Sequence, residues 1–187
     1  HTVFDSPHAR FGIVASGKAY LDTRQALADL GLDEQTCKDI GIRLFKCGMV
    51  WPLEATAIRS FAEGLEEILV VEEKRQFLEY QLKEELFSWI GTGKRIPRVI
   101  GKFDEKDGGE WAVPQGNWIL PAHYEFSPAI VSKAIVARIG KLELPARRSC
   151  KMQRPVEKRC RECTRSQASS DAGDAGPHRA IEILGRR

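Results

Sequence analysis

No stretch of this 187-residue chain has the roughly 18 to 20 consecutive apolar residues that a bilayer-spanning helix needs, so a membrane anchor of that kind is not expected. Neither a G-x-G-x-x-G nor a complete G-x-x-x-x-G-K-[ST] pattern occurs, which removes the two strongest short signals for nucleotide binding. The first residues, His1-Thr-Val-Phe-Asp5, carry no initiator Met and no basic-then-apolar leader pattern, so the chain reads as a fragment and nothing in it suggests export. Cysteine is sparse, at five residues, and with no leader a reduced, cytoplasmic compartment is expected. Neither His8 nor His123 has a Cys or acid partner at a metal-ligand spacing, and both read as ordinary surface or interface histidines.

What is present is uneven along the chain. The net charge of +3 conceals an acidic body, with 18 Lys/Arg against 21 Asp/Glu in residues 1–145, and a basic tail, with 11 against 5 in residues 146–187. A nucleic-acid reading would therefore rest on the tail alone, and a nucleic-acid partner is not expected of the body. The tail has few large apolar residues and runs of Arg, Ser, Ala, Gly and Asp; it is expected to be disordered.

The body alternates strand and helix signals, which predicts an α/β fold: a Rossmann-like three-layer sandwich around a mostly parallel sheet of about four to five strands. Phe11–Ala15 and Glu67–Val71 are continuous apolar runs suited to strands buried on both faces, Ile42–Lys46 alternates, and Pro97–Gly101 is a shorter candidate. Helices are predicted over about Ala19–Leu30, from Asp33 to Gly41, over Glu54–Glu63, over Arg75–Trp89 and over Ala129–Ile139. Phe77, Leu78, Leu82, Leu86 and Trp89 form the inward stripe of the fourth, and Glu79 and Lys83 an i,i+4 pair on its wet face. Gly31 and Gly64 are read as helix ends, and so is Gly140. Ser127-Pro128 supplies an N-cap and first turn, and residues 104–126 read as a long surface loop.

Three constellations invite chemistry. Ser16-Gly17-Lys18 stands between a strand and a helix, where backbone N–H groups cradle phosphates; the plainer reading is a tight turn with an exposed Lys. Glu72-Glu73-Lys74 stands at the carboxyl end of a central strand, where open α/β sheets place their sites. Adjacent strand residues point to opposite faces, so the two acids do not make one dyad. With Trp51 they are read as interface residues rather than catalytic ones. Trp51, Trp111 and Trp118 lie around loops, as aromatics do on a surface that another domain covers. Cys160-Arg-Glu-Cys163, with Cys150 upstream, has the look of a zinc or iron–sulfur ligand set. It lacks a fourth ligand (His178 excepted) and a supporting fold, so no metal is assigned to it.

Over residues 9–145 the chain resembles the fused large bacterial form of the indolepyruvate ferredoxin oxidoreductase family. The match is carried by Arg10-Phe-Gly-Ile-Val-Ala-Ser-Gly-Lys-Ala-Tyr-Leu-Asp22 and Arg24–Leu27, then by Gly41–Lys46 and Gly48-Met-Val-Trp-Pro-Leu-Glu54. Phe61–Leu65, Glu67-Ile-Leu-Val-Val-Glu-Glu-Lys74, Gln81–Glu84, Leu120-Pro121 and Leu142–Pro145 complete it. The resemblance implies a domain similar to the transketolase C-terminal domain. Its parent would decarboxylate aryl 2-oxoacids oxidatively with thiamine diphosphate and Mg2+, pass electrons through iron–sulfur clusters to ferredoxin and form an acyl-CoA. Partners implied are the parent's other domains, with ferredoxin and CoA for the parent, itself expected to be a homo-oligomer. The family's cofactor ligands lie on other domains, so no catalytic residue is carried over and no cofactor is expected on this segment.

Past Pro145 the family continues into a helical linker and a Cys-x-Gly-Cys-Pro-His motif, whereas Ala146–Arg187 is a low-complexity stretch, expected to be out of frame or degraded. The division expected is thus a domain over 1–145 and a tail over 146–187. Three functions follow from the residues and the resemblance. The leading one is an oxidoreductase segment with a structural, interface role and no activity alone. The others are an independent Rossmann-like ligand- or partner-binding module and a nucleic-acid binder acting through its tail.

Overall fold

In a computed structural model the residues described are 1–103, 118–123 and 125–145. Two compact units divide the chain, His1–Gln153 and Arg154–Arg187, and all described residues lie in the first. The tail with Cys150, Cys160 and Cys163, and Trp111 in the long loop, lie outside them.

Among the described residues ten elements follow one another: β1 (Thr2–Phe4), β2 (Phe11–Ser16), α1 (Gly17–Asp29), α2 (Glu34–Ile40), β3 (Ile42–Cys47), α3 (Ala55–Ala62), β4 (Glu67–Val71), α4 (Leu78–Phe87), β5 (Arg98–Ile100) and α5 (Pro128–Lys141). The sheet has five strands in the order β1-β3-β2-β4-β5. Four are parallel, as the alternation of elements predicts; only β1 is antiparallel, pairing Thr2 with Phe45 and Phe4 with Leu44. Three residues are too few to show a period in sequence, which is why this edge strand went unread.

Strand side chains alternate between two cores, as the pleat requires. Phe11, Ile13, Ala15, Ile42, Leu44, Leu69 and Val71 face α1, α2 and α5, meeting Ala26, Leu27, Ile40, Val131 and Ile135. Val14, Phe45, Ile68, Val70 and Val99 face α3 and α4, meeting Ile58, Phe61, Leu78, Leu82 and Trp89. Every residue of β4 is buried, the signature of a central strand covered on both faces. Gly12 allows α3 to approach: a Cβ there would stand 2.5 Å from Leu65 Cδ1 and 2.9 Å from Phe61 Cζ.

Several boundaries move for local reasons. Asp33 caps α2 through the Thr36 N–H, whereas Ser127 adopts the cap backbone of α5 without a side-chain bond. Leu32 N–H donates to the Leu27 carbonyl, with Gly31 left-handed at the end of α1 as read from sequence. Gly140 does not stop α5; the helix runs to Lys141, and Glu143 takes the left-handed turn at φ 50° while Leu144 N–H returns to the Ile139 carbonyl. α4 begins at Leu78 rather than near Arg75, leaving Phe77 exposed instead of inward. Glu79 is buried rather than on the wet face, and that burial pushes its carboxyl above the usual range although Lys83 pairs with it at 3.0 Å. The long loop also returns to the fold: Ile119 N–H donates to the Lys102 carbonyl, and Leu120 and Phe126 are core residues. No helix of the described residues is long and apolar enough to cross a membrane.

Candidate functional site at the sheet's carboxyl end

β2 and β4 are neighbours, yet the helices that follow them leave for opposite faces, α1 to one core and α4 to the other. Such a divergence opens a crevice at the carboxyl ends of the strands, where doubly wound sheets take ligands. Here it is a cleft of about 280 Å³, walled by Ser16–Ala19 on one side and by Glu72, Glu73, Arg75 and Phe77 on the other.

Of the residues singled out in the sequence, Ser16, Gly17, Lys18, Glu72 and Glu73 line this cleft, whereas Lys74 and Trp51 are not among its lining; the charged ones in the cleft are already engaged. An ammonium has three N–H donors, and Lys18 Nζ has three acceptors: Asp22 Oδ2 at 2.9 Å, Glu73 Oε1 at 3.3 Å and the Phe126 carbonyl at 2.8 Å. The bond to Asp22, with Glu73 adding to it, holds the Lys18 amine above its ordinary pKa. Glu73 Oε1 also accepts the Phe126 N–H at 3.2 Å, so Phe126 is gripped at both ends of its backbone. Lys102 closes the same corner from below. It is buried, donates to the carbonyls of Glu72 and Pro121 and lies 4.6 Å from the centre of the Phe126 ring. Burial lowers its pKa to about 8.

Glu72 turns to the opposite face from Glu73, as the pleat dictates. It accepts the backbone N–H groups of Phe77 (2.9 Å), Leu78 (2.8 Å) and Glu79 (3.0 Å), capping α4 from five residues upstream. It therefore works beneath the surface rather than on it. Lys74 and Trp51 are exposed. Trp51 stacks obliquely on Phe77 with ring centres 5.5 Å apart.

Three participants escaped the sequence reading. Gln81 is buried on the inward stripe of α4, where a polar residue among Leu78, Leu82 and Leu86 is the one signal available. Its Oε1 accepts the Leu53 N–H at 2.8 Å, and its Nε2 donates to the carbonyls of Val50 at 2.8 Å and Phe77 at 3.1 Å. Lys102 gave no such signal, since a lysine just past a short strand reads as solvent-facing. Arg75, which the periodicity puts at the start of a helix, lies on the turn before α4.

Among the described residues no group of three His, Cys, Asp or Glu could hold an ion. Cys37 and Cys47 are buried in different cores and cannot share a cluster. Of the charged groups lining the cleft, Glu73 and Lys18 are paired with each other, while Arg75 is exposed. Trp118 and His123 make an edge-on ring contact at 6.0 Å.

Fold and site together define a doubly wound α/β domain whose crevice is crossed by internal ion pairs and flanked by exposed aromatics. The family model for the indolepyruvate ferredoxin oxidoreductase middle domain matches residues 1–167, and the chain belongs to that family. The match runs past Pro145 into residues outside the described set. Curated relatives include the indolepyruvate oxidoreductase subunit IorA of Thermococcus kodakarensis, 33% identical over 138 residues, covering 73% of this chain and 17% of that protein. The IorA subunits of Methanothermobacter thermautotrophicus and Methanothermobacter marburgensis are 30% and 34% identical, covering 71% and 69% of this chain and 17% of each relative. The chain thus spans about one sixth of the curated relatives it matches. Among solved structures, an inactive tetramer of a split-gene transketolase aligns with a TM-score of 0.42 and 16% identity, over 72% of this chain and 40% of that one.

Proposed function

We propose that the chain serves as a structural and interface domain of a 2-oxoacid:ferredoxin oxidoreductase and has no activity alone. The parent reaction on this reading is oxidative decarboxylation of an aryl 2-oxoacid to an acyl-CoA. Thiamine diphosphate, Mg2+ and iron–sulfur clusters are held on other domains, and electrons pass to ferredoxin. The observation that supports it best is the fate of the switch-point crevice. This domain commits Lys18 to Asp22, Glu73 and Phe126, and the Glu72 carboxylate to the start of α4. The domain extends over residues 1–145 on this reading, with residues 146–187 as a separate tail.

The test is reconstitution. An IorA-type subunit with its middle segment deleted is assayed for indolepyruvate-dependent ferredoxin reduction, with and without the 187-residue chain. Neither part alone is expected to turn over, and the mixture is expected to regain activity. Turnover by the chain alone, or full activity of the deleted subunit without it, would overturn the reading.

A further inference from the structure

Three of the exposed large apolar side chains on the described residues, Val50, Trp51 and Phe77, gather at the mouth of the cleft. Trp51 is 66% exposed and Phe77 49%. Water alone would favour burying or loosening such a group, yet the backbone beneath it is fixed by buried polar groups. Gln81 ties Val50, Leu53 and Phe77 together. The Cys47 thiol donates to the Met49 carbonyl at 3.1 Å, and Glu72 holds the Phe77 N–H. An aromatic pair whose support is already ordered is built to bind at a low cost in entropy.

The rim has a charge. Lys74 and Arg75 are exposed on the turn just before Phe77, and neither has an ion-pair partner among the described residues. Lys74 has a φ of 55°, a left-handed conformation that a non-glycine residue keeps only where its neighbours hold it. These cations stand on a body with an acidic excess, 18 Lys/Arg against 21 Asp/Glu in residues 1–145. The face therefore complements an apolar side chain flanked by carboxylates.

We propose that this face docks onto the remainder of the oxidoreductase subunit, through a segment that sets an apolar side chain against Trp51 and Phe77 and carboxylates against Lys74 and Arg75. The inference rests on the middle-domain reading. It takes its occupant from the relatives, in which the matched segment is 17% of a chain whose other domains must meet it.

The experiment measures binding of the full 187-residue chain to an IorA-type subunit lacking its middle segment, by biolayer interferometry over a salt series. Trp51→Ser and the pair Lys74→Glu with Arg75→Glu are compared with Ile90→Ser, an exposed change beyond the far end of α4. The two face variants are expected to weaken binding by about tenfold or more, while Ile90→Ser leaves it unchanged. Salt is expected to weaken the wild type more than the charge-reversed pair. Circular dichroism confirms that each variant is folded. If the wild type binds and the face variants bind within about twofold of it, this inference fails and the middle-domain reading stands. If the wild type neither binds nor restores activity, both fail. Self-association of the chain in sedimentation, abolished by Trp51→Ser, would assign the face to a second copy and overturn the proposal.

Discussion

Glu67 and Arg138 form a two-point ion pair with both side chains buried, Arg138 Nε lying 2.6 Å from Glu67 Oε1. Glu67 opens β4 and Arg138 belongs to the third turn of α5, so the pair fastens that helix to the amino end of the central strand, opposite the docking face. Removing Arg138 leaves the buried Glu67 carboxylate with Arg98 Nη1, 4.0 Å away, as its remaining ion-pair partner among the described residues. Arg138→Met is expected to cost about 3–5 kcal/mol in urea unfolding, and Glu67→Met combined with Arg138→Met to recover a large part of it. A double variant no more stable than Arg138→Met would show that the buried Glu67 charge is not the cause.

The cap at the other end of β4 is expected to behave differently. Glu72→Ala removes a carboxylate that accepts three backbone N–H groups. The loss expected is about 2 kcal/mol of stability, with faster amide exchange confined to Phe77–Glu79. Unchanged exchange there would refute the capping role.

How far these contacts were legible in the sequence depends on their range. The central strands, their order of exposure and most helices follow from apolar runs and turn residues, because those signals are local. Ser16, Glu73 and Lys74 were placed at the strand ends by the same logic. Two things were not local. Phe77 falls on the apolar stripe of α4, but Glu72 starts that helix one residue later and turns the ring outward. Glu79 falls on the wet face by spacing with Lys83, yet Lys102 N–H reaches it at 3.3 Å from the end of β5. Both depend on partners five or more residues away, which a periodicity does not record.

Lys102 gives a pH dependence whose sign is fixed. Its folded pKa, lowered by burial to about 8, lies below the ordinary 10.5, so between those values the unfolded chain holds a proton that the native protein has lost. Stability from this residue is therefore expected to rise with pH across that window, and to be flat below pH 8, where both states are charged. Urea titrations of wild type and Lys102→Met from pH 7 to about 10.5 isolate it: the difference between the two curves should change through the window. Parallel curves would mean that Lys102 titrates normally.

Gln81 is expected to act as a positioning residue for the aromatic pair. Gln81→Leu keeps the volume on the inward stripe of α4 but releases Val50, Leu53 and Phe77. Amide exchange at Leu53 should accelerate about tenfold or more while β4 stays protected. Equal exchange in the variant and the wild type would show the loop to be held by something else.

Cys37 offers a check on the inner core. Burial in the α1–α2 side of the fold pushes its thiol up to about 12. In native protein at pH 8 a maleimide is expected to leave Cys37 unmodified, and to label it promptly in urea, as read by peptide mass. Native labelling at the rate of a free thiol would contradict that packing.

On the proposed reading the crevice between β2 and β4 holds this domain together and presents its rim, and cofactors bind on other domains. Calorimetry of the 187-residue chain with thiamine diphosphate and Mg2+ tests it most directly. No saturable heat is expected, and Lys18→Ala should change stability without creating a site. Saturable binding at submicromolar concentration, lost in Lys18→Ala, would contradict the account.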